Sequence, residues 1–316
     1  TQRAMPVPPS DARALARGGV LPALVTPFRA GDASLDTRAL ARLASRAVAS
    51  GCAGVLVAGT TGEAPTLSTG ELTLALSVTR EALDGSRDEA SRGLLLAGVG
   101  TGDTRGSCLR ARAAAEAGAD ALLVVTPYYS RPTPAGLRRH VEAVAGATDL
   151  PVMLYDVPGR TAACLPLELL EHLATLDNVV AYKDATGDLV RAQALRHALG
   201  DALALYAGDD ALALPFAAIG AVGLVSVTAN AFPGEIVRAF ALGREGGAPG
   251  RDAHARLHPV HQALFAESSP GPLKALLASA GHLEDVLRPP LAPATEETRA
   301  RLFAVVRAAG LSEALA

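Results

Sequence analysis

Residues 179–187 read VVAYKDATG, an apolar run that ends abruptly in a lysine, an aspartate and small residues. A short, continuously apolar run is typical of a parallel strand that is covered on both faces. The polar and small residues after it are typical of the loop that follows the C-terminal end of such a strand. The same arrangement recurs along the chain, and this recurrence predicts the fold.

Eight short apolar runs alternate with segments that have the hydrophobic period of a helix. The predicted strands are Val20–Thr26, Gly54–Ala58, Leu94–Val99, Ala121–Thr126, Pro151–Tyr155, Val179–Lys183, Leu203–Ala207 and Val222–Val227. Eight β–α alternations without a long insert predict an α/β protein with a closed (β/α)₈ TIM barrel. No GxGxxG follows the first strand, which argues against a dinucleotide-binding sheet.

The predicted domain organisation has three parts. Residues 1–17 form a loose N-terminal arm without an apolar signal core, and residues 18–232 form the barrel. Residues 233–316 supply its final helix and a C-terminal helical extension, with helices around 234–246, 251–266, 270–280 and 295–309. The uncharged stretch 211–232 contains Pro215 and two glycines, so we interpret it as a buried helix and strand rather than a membrane span.

Composition narrows the function classes. A formal net charge of −3 gives no electrostatic reason to expect a nucleic-acid partner. The three cysteines are far apart and have no zinc spacing, which is typical of reduced thiols in the cytoplasm. Only two of the 29 basic residues are lysines, Lys183 and Lys274. A lysine in a chain that otherwise uses arginine indicates a specific role, since arginine cannot form an imine.

Lys183 ends a buried strand, and barrel enzymes gather their chemistry at the C-terminal ends of the strands. Burial disfavours an ammonium group and frees the nitrogen lone pair to attack a ketone. We therefore expect Lys183 to form a Schiff base with a small 2-oxo acid. The alternative is a solvated lysine, or a structural partner of Asp184 or Glu63.

Other strand ends supply groups that complement such a lysine. Tyr155 is a candidate proton carrier, although a tyrosine that only packs is the alternative. Thr60 and Thr61 stand between two glycines, where backbone N–H groups can bind a carboxylate, or they form an ordinary turn. Arg160 offers a fork suited to a second carboxylate, or it makes a surface salt bridge.

Six motifs in register make the chain resemble a known family. They are GTTGE (59–63), TPYY (126–129), YDVPGRT (155–161), YKDATG (182–187), GDD (208–210) and GLVSVTAN (223–230). Together they closely resemble the pyruvate-dependent class I aldolases, the family that includes dihydrodipicolinate synthase and N-acetylneuraminate lyase. The likeness runs from about Gly18 to the C-terminal helices.

The resemblance implies a role for each matching residue. Lys183 would carry the pyruvate imine and Tyr155 would shuttle protons there. Thr60 would link Tyr155 to a second tyrosine from the neighbouring subunit, which here would be Tyr129. The remaining implied roles are pyruvate carboxylate binding by Thr60 and Thr61, carboxylate binding of aspartate semialdehyde by Arg160, and backbone contacts to the pocket from Gly208 and Val225.

The implied reaction condenses pyruvate with L-aspartate 4-semialdehyde in lysine and diaminopimelate biosynthesis. The family needs no cofactor, and its members assemble as homodimers or homotetramers. One rival is a sister aldolase that acts on a 2-keto-3-deoxy sugar acid, 4-hydroxy-2-oxoglutarate or sialic acid, although Thr61 and Arg160 favour the synthase. The other rival is a catalytically silent barrel that serves as a binding subunit.

His254, His258 and His261 lie near one helical face, but no neighbouring carboxylate or cysteine completes a metal site.

Overall fold

The computed structural model describes residues 15–85 and 92–315, which form a parallel sheet of eight strands. The strands are β1 (Gly19–Pro22), β2 (Gly54–Val57), β3 (Leu94–Gly98), β4 (Ala121–Val125), β5 (Val152–Asp156), β6 (Val179–Asp184), β7 (Ala204–Ala207) and β8 (Gly223–Ser226). They are joined in the order β1-β8-β7-β6-β5-β4-β3-β2. A bridge between Ala23 and Leu56 links β1 to β2. The predicted (β/α)₈ barrel is confirmed, and each strand lies within its predicted run or extends it by one residue.

The strands are apolar along their length because both faces of the sheet are covered. One face fills the barrel interior with buried side chains such as Leu56, Leu123 and Met153. The other face packs against the surrounding helices and forms the larger cluster. Since successive side chains of a strand point to opposite faces, this alternation decides which polar residues reach the barrel mouth.

The segments between the strands form helices, as the predicted β–α alternation requires. They are α1 (Thr37–Ala49), α2 (Thr69–Asp84), α3 (Thr104–Glu116), α4 (Pro134–Ala145), α5 (Pro158–Thr161), α6 (Leu167–Leu173), α7 (Leu189–Leu199) and α8 (Ala213–Ala218). Ser68 and Glu71 form a capping box at the start of α2, because Ser68 Oγ accepts from the Glu71 N–H at 3.2 Å and Glu71 accepts from the Ser68 N–H at 2.9 Å. Thr133 caps α4 by a single bond, because its Oγ1 accepts from the Gly136 N–H at 3.3 Å, and Pro134 is the first residue of the helix.

The C-terminal part consists of helices, as predicted. They are α9 (Pro233–Glu245), α10 (Gly247–Leu264), α11 (Gly271–Ser279) and α12 (Glu296–Ala308). The uncharged stretch 211–232 folds as α8, β8 and a turn of 3₁₀ helix, which confirms the predicted buried helix and strand. Within the described ranges, no helix combines the length and the apolar character needed to cross a bilayer.

The described part of the chain begins inside the predicted N-terminal arm, and its first residue is packed. Leu15 is fully buried in the interior cluster of the barrel. Its carbonyl oxygen accepts a hydrogen bond from the Tyr206 hydroxyl at 2.7 Å. The rest of the predicted arm, residues 1–14, lies outside the described residues.

Candidate active site

Two neighbouring strands place Tyr155 and Lys183 side by side. β5 and β6 pair in parallel register with Tyr155 opposite Lys183. Tyr155 belongs to the interior cluster, and Lys183 lies two residues after Ala181 of the same cluster, so both side chains face the barrel interior. Lys183 Nζ lies 3.9 Å from the centroid of the Tyr155 ring. The predicted pair of imine-forming and proton-carrying groups is thus in direct contact.

Lys183 is buried, yet it has no ion-pair partner among the residues that the structure describes. Only 5% of the residue is exposed. Asp184 faces the opposite side of the sheet, where its carboxylate lies 3.5 Å from Arg191. Glu63 is paired with Lys274. Both ion-pair alternatives for Lys183 are therefore absent from the described structure, and its amine is available as a nucleophile.

Lys183 borders a cleft that consists of two adjoining cavities. The lysine cavity, of about 170 Å³, is lined by Lys183, Thr60, Thr61, Tyr155, Val157, Arg160, Ala185, Gly208, Asp209, Val227, Phe265 and Ser269. The tyrosine cavity, of about 370 Å³, shares Thr60, Tyr155, Val157 and Arg160 with it and extends to Tyr128 and Tyr129. The predicted residues Thr60, Thr61, Arg160 and Gly208 are thus gathered around Lys183 and Tyr155.

The Thr60–Thr61 turn follows β2 and presents free backbone donors. The Gly62 N–H donates to the Gly59 carbonyl oxygen and the Glu63 N–H to that of Thr60, each at 3.1 Å. These bonds close a tight turn. Within the described part of the chain, the N–H groups of Thr60 and Thr61 have no acceptor, and such groups bind anions readily. The turn is therefore suited to a carboxylate.

The C-terminal extension fixes this turn from behind. The buried Glu63 carboxylate accepts from Lys274 Nζ at 2.5 Å and from the Arg288 N–H at 3.0 Å. Lys274 also donates to the Val286 carbonyl oxygen at 2.7 Å. Burial lowers the pKa of Lys274, and the Glu63 carboxylate opposes this effect. The second lysine of the chain thus has a structural partner.

Arg160 and Gly208 both border the lysine cavity, and each contributes a different property to it. Arg160 is exposed on α5, borders both cavities and has no carboxylate within ion-pair distance among the described residues. Its guanidinium group is therefore available to a ligand. A Cβ atom on Gly208 would lie 3.0 Å from Lys183 Cε and 2.9 Å from the Asp184 carbonyl oxygen. A glycine at this position leaves room for the lysine side chain.

Two of the predicted residues lie further from Lys183. Val225 is buried in the interior cluster and borders neither cavity, whereas Val227 lines the lysine cavity. The backbone contact predicted for Val225 stays a prediction. Tyr129 is 95% exposed, has a φ of +74° and borders the tyrosine cavity of its own chain. Its predicted role in a neighbouring subunit likewise stays a prediction.

A buried network on the outer face of the sheet holds β5 and β6 together. The Tyr182 hydroxyl donates to the Asp156 carboxylate at 2.9 Å. Arg191 of α7 donates to the Tyr182 oxygen at 2.6 Å and to Asp156 at 3.2 Å. Burial raises the pKa of Asp156 and of Asp184. These groups flank the two reactive residues in sequence, so the network fixes the strands that carry them. Among so many arginines, the sequence contained no signal that singled out Arg191.

The C-terminal extension also reaches the lysine cavity, which the sequence analysis did not predict. Phe265 follows α10 and is 45% exposed, and Ser269 precedes α11 and is buried. Both residues line the cavity beside Asp209, which follows β7. The GDD motif pointed to Asp209, but Phe265 and Ser269 are remote in sequence from any strand end, and no motif marked them.

The three histidines of α10 lie close together, and one of them contacts a neighbouring segment. The ring centroid of His254 lies 5.8 Å from that of His258 and 6.1 Å from that of His261. His261 is buried, and its Nδ1 lies 2.8 Å from Thr228 Oγ1. Over residues 15–85 and 92–315, no group of three or more histidine, cysteine, aspartate or glutamate side chains is arranged to hold a metal ion.

Comparison with known proteins identifies the family. The profile of the Dihydrodipicolinate synthetase family matches residues 16–309. The chain is 42% identical to 4-hydroxy-tetrahydrodipicolinate synthase of Sorangium cellulosum over 92% of this chain and 95% of that protein. It is 45% identical to the enzyme of the same name from Acidothermus cellulolyticus, over 94% of each chain.

A solved structure agrees with the sequence matches. Dihydrodipicolinate synthase from Acinetobacter baumannii, in a complex with pyruvate, superposes with a TM-score of 0.87 at 36% identity, over 93% of this chain and 99% of that one. Sequence and fold therefore agree over nearly the whole length of both proteins. On these grounds the chain belongs to the dihydrodipicolinate synthetase family.

Proposed function

We propose that this chain condenses pyruvate with L-aspartate 4-semialdehyde to give 4-hydroxy-tetrahydrodipicolinate, the activity for which its relatives are named. The observation that carries the proposal is the position of Lys183. Its amine is buried, lies 3.9 Å from the centroid of the Tyr155 ring and borders a cleft. A class I aldolase needs an amine without an ion-pair partner beside a group that carries protons.

The first step joins pyruvate to Lys183. The amine attacks the ketone carbon, and loss of water gives an imine. The free N–H groups of Thr60 and Thr61 bind the pyruvate carboxylate, and the Tyr155 hydroxyl donates and accepts the protons that the addition and dehydration require. Removal of a methyl proton then gives the enamine, which is the carbon nucleophile.

The second step uses the other side of the cleft. The enamine carbon attacks the aldehyde carbon of the semialdehyde, whose carboxylate binds the unpaired guanidinium of Arg160. The amino group of the same substrate then attacks the imine carbon. This transimination closes the ring and releases the Lys183 amine. The lysine and tyrosine cavities together give room for both substrates.

Self-association would complete the proton relay. Tyr129 is 95% exposed in the single chain, although its neighbour Tyr128 is half-buried. An aromatic side chain held so far out is suited to insertion into a second copy of the chain. We infer a homodimer or homotetramer in which Tyr129 reaches Thr60 of the neighbouring subunit. The three free cysteines are consistent with a reducing cytoplasm.

Product analysis tests the proposal. The purified chain is incubated with pyruvate and, separately, with each of four aldehydes: L-aspartate semialdehyde, glyoxylate, glyceraldehyde and N-acetylmannosamine. We expect a cyclic product from the semialdehyde and little product from the others. Preferential turnover of another aldehyde would assign the chain to a sister aldolase. Absence of turnover with all of them would favour a binding barrel.

A further inference from the structure

The loops that follow β7 and β8 form neighbouring walls of the lysine cavity. Gly208 and Asp209 line it from the first loop, and Val227 lines it from the second. Val227 lies beyond the end of β8, so contacts other than strand pairing must fix its position. Those contacts come from one buried carboxylate and from the C-terminal extension.

Asp210 joins the two loops. It is buried and directly follows the cavity-lining Asp209. One of its carboxylate oxygens accepts from the Ser226 hydroxyl at 2.5 Å, and the other accepts from the N–H groups of Val227 at 2.8 Å and Thr228 at 3.0 Å. Bonds to a carboxylate are stronger than those between neutral groups. These three bonds therefore hold the start of the second loop against the first.

A histidine of the C-terminal extension contacts the same loop. His261 is buried, and its Nδ1 lies 2.8 Å from Thr228 Oγ1. Together with Asp210 and His254, it lines a small cavity of about 20 Å³ behind the loop. Thr228 is therefore fixed twice, through its N–H by Asp210 and through its hydroxyl by His261.

The histidine cluster (His254, His258 and His261) resists protonation. The ring centroid of His254 lies 5.8 Å from that of His258 and 6.1 Å from that of His261. Burial lowers the pKa of His261 from its ordinary value of 6.5, and the other two histidines lower it further, whereas Asp210 opposes the change. Burial also lowers the pKa of His254. An imidazolium ion enclosed beside two further histidines is therefore costly.

The charges on the elements around α10 do not offset this cost. Among the described residues, Asp210 is the carboxylate that acts on His254 and His261, and Asp209 interacts with His258. α8 and the 3₁₀ turn after β8 contain no charged side chain. On α9, α11 and α12, the paired charges have partners elsewhere, namely Glu235 with Arg256, Lys274 with Glu63, and Arg299 with Asp285 and Glu296.

We propose that Asp210 and His261 are positioning residues that fix the loop after β8 beside Lys183, and that protonation of the histidine cluster loosens this loop. The enclosed rings hold fewer protons than solvated histidines do, so a fall in pH below about 6.5 favours an opened arrangement in which His261 leaves the loop. The contact is intact above that pH and weakens progressively below it. Movement of Val227 then weakens pyruvate binding, and only this last step rests on the proposed function.

Amide hydrogen exchange measures the loop directly. The purified protein is exchanged at about pH 7.5 and at about pH 5.5, and the rates are corrected for the pH dependence of free amides. We expect residues 226–231 to lose protection roughly 10-fold at the lower pH, since one proton changes the equilibrium by up to about tenfold per pH unit. β4 (Ala121–Val125) should keep its protection. An unchanged loop, or an equal loss in β4, would overturn the proposal.

Two variants separate the charge of His261 from its contact. His261→Asn places an amide near the position of Nδ1, so it keeps a bond to Thr228 but cannot take up a proton. We expect its loop to have wild-type protection at the higher pH and little loss at the lower pH. Thr228→Val removes the bond and keeps the shape of the side chain, so protection should fall roughly 2- to 10-fold at both pH values. His197→Asn, at an exposed position on α7, is the matched control and should behave as the wild type. An acid-induced loss in His261→Asn as large as that in the wild type would contradict the role of the histidine.

A further variant leaves both loop contacts in place. His254→Gln combined with His258→Gln changes two half-buried positions and removes the repulsion that a protonated His261 meets. The acid-induced loss of loop protection should therefore be smaller than in the wild type. A loss of the same size would show that the cluster does not act on the loop.

Pyruvate kinetics connect the loop to catalysis. Comparison of the wild type with His261→Asn at the same pH cancels the titration of groups that both proteins share. The KM for pyruvate should rise several-fold more in the wild type than in His261→Asn at the lower pH, while the ratio of their kcat values changes little. A wild type that has the exchange change but no turnover would contradict the proposed function alone. An active wild type whose KM depends on pH as that of His261→Asn does would refute the positioning role.

Discussion

Lys274 and Glu63 form a buried ion pair between the C-terminal extension and the loop after β2, with Nζ 2.5 Å from Oε1 and both side chains fully buried. Lys274 Nζ also lies 4.4 Å from the centroid of the Phe28 ring. The two lysines of the chain therefore have different roles. Lys274 fixes the Thr60–Thr61 turn, and Lys183 has no such partner among the described residues. Three consequences can be measured.

Borohydride reduction in the presence of pyruvate should modify Lys183. The reduced imine adds a pyruvyl mass to the peptide that contains this residue, and peptide mapping by mass spectrometry locates it. Lys274 should stay unmodified because its amine is enclosed and paired. Lys183→Arg is the matched control, since it retains the charge but cannot form an imine. Modification of Lys274, or of neither lysine, would contradict the mechanism.

Lys274→Met should destabilise the fold strongly. The variant leaves the Glu63 carboxylate buried without its cation, and breaking a buried pair costs about 3–5 kcal/mol. Equilibrium urea unfolding measures the loss. Arg196→Met breaks the exposed pair with Asp201 and should cost no more than about 1 kcal/mol. Similar losses of unfolding free energy in the two variants would show that the buried pair stabilises the fold no more than the exposed pair does.

The same pair should position the carboxylate-binding turn. Glu63→Gln keeps the shape of the side chain but removes the charge that Lys274 and Arg288 hold. We expect the KM for pyruvate to rise several-fold while borohydride trapping at saturating pyruvate is retained. An unchanged KM in a folded Glu63→Gln variant would separate the ion pair from substrate binding.

The sequence predicted the parts of the site that lie on strands and failed for those on loops of the extension. The sequence placed Tyr155 and Lys183 at the ends of predicted strands, and their contact follows from the register of β5 and β6 in the structure. The partner of Glu63 could not be predicted, because Lys274 is 211 residues away in sequence and in a separate helix. Ser269 was missed for the same reason. Contacts between distant segments depend on how the extension packs, which local periodicity does not encode.

Tyr129→Phe should lose most turnover while pyruvate still forms the imine. In the proposed assembly the Tyr129 hydroxyl passes protons to Thr60 of the neighbouring subunit, whereas imine formation needs Lys183 of the same chain. Steady-state rates and borohydride trapping separate the two effects. Tyr128→Phe is the neighbouring control. Full activity from a protein shown to be monomeric by sedimentation would contradict the shared site.

Arg160→Ala should weaken the binding of L-aspartate semialdehyde much more than the binding of pyruvate. Loss of a charge-assisted pair costs about 1.5–3 kcal/mol, so the KM for the semialdehyde should rise roughly 10- to 100-fold. The KM for pyruvate should change little. Arg251→Ala, on the exposed side of α10, is the matched control and should change neither constant. An equal rise in the KM of both substrates would indicate that Arg160 has a structural role.

Feedback inhibition by L-lysine should be weak or absent. The resemblance to lysine-inhibited members of the family implies an effector site at the dimer interface, near the GTTGE loop and the start of the third barrel helix. Counting from GTTGE, the resemblance implies that Thr69 and Leu72 stand where strongly inhibited enzymes have histidines. Counting from Gly98-Val-Gly100, it implies that Gly106 stands where they have the glutamate that pairs with the lysine ammonium. Tyr128 is retained, but it also belongs to the TPYY motif.

The structure gives a physical reason to expect this insensitivity. Leu72 is fully buried, so its side chain is not available to an effector. Gly106 lies in the first turn of α3, where its N–H donates to Asp103 at 2.7 Å, and a Cβ there would lie 2.6 Å from the other Asp103 oxygen. Without the glutamate, a bound ammonium would lose hydration and gain no counter-charge, which is costly. Activity should therefore change little across millimolar L-lysine, and inhibition below 1 mM would show that different residues form the site.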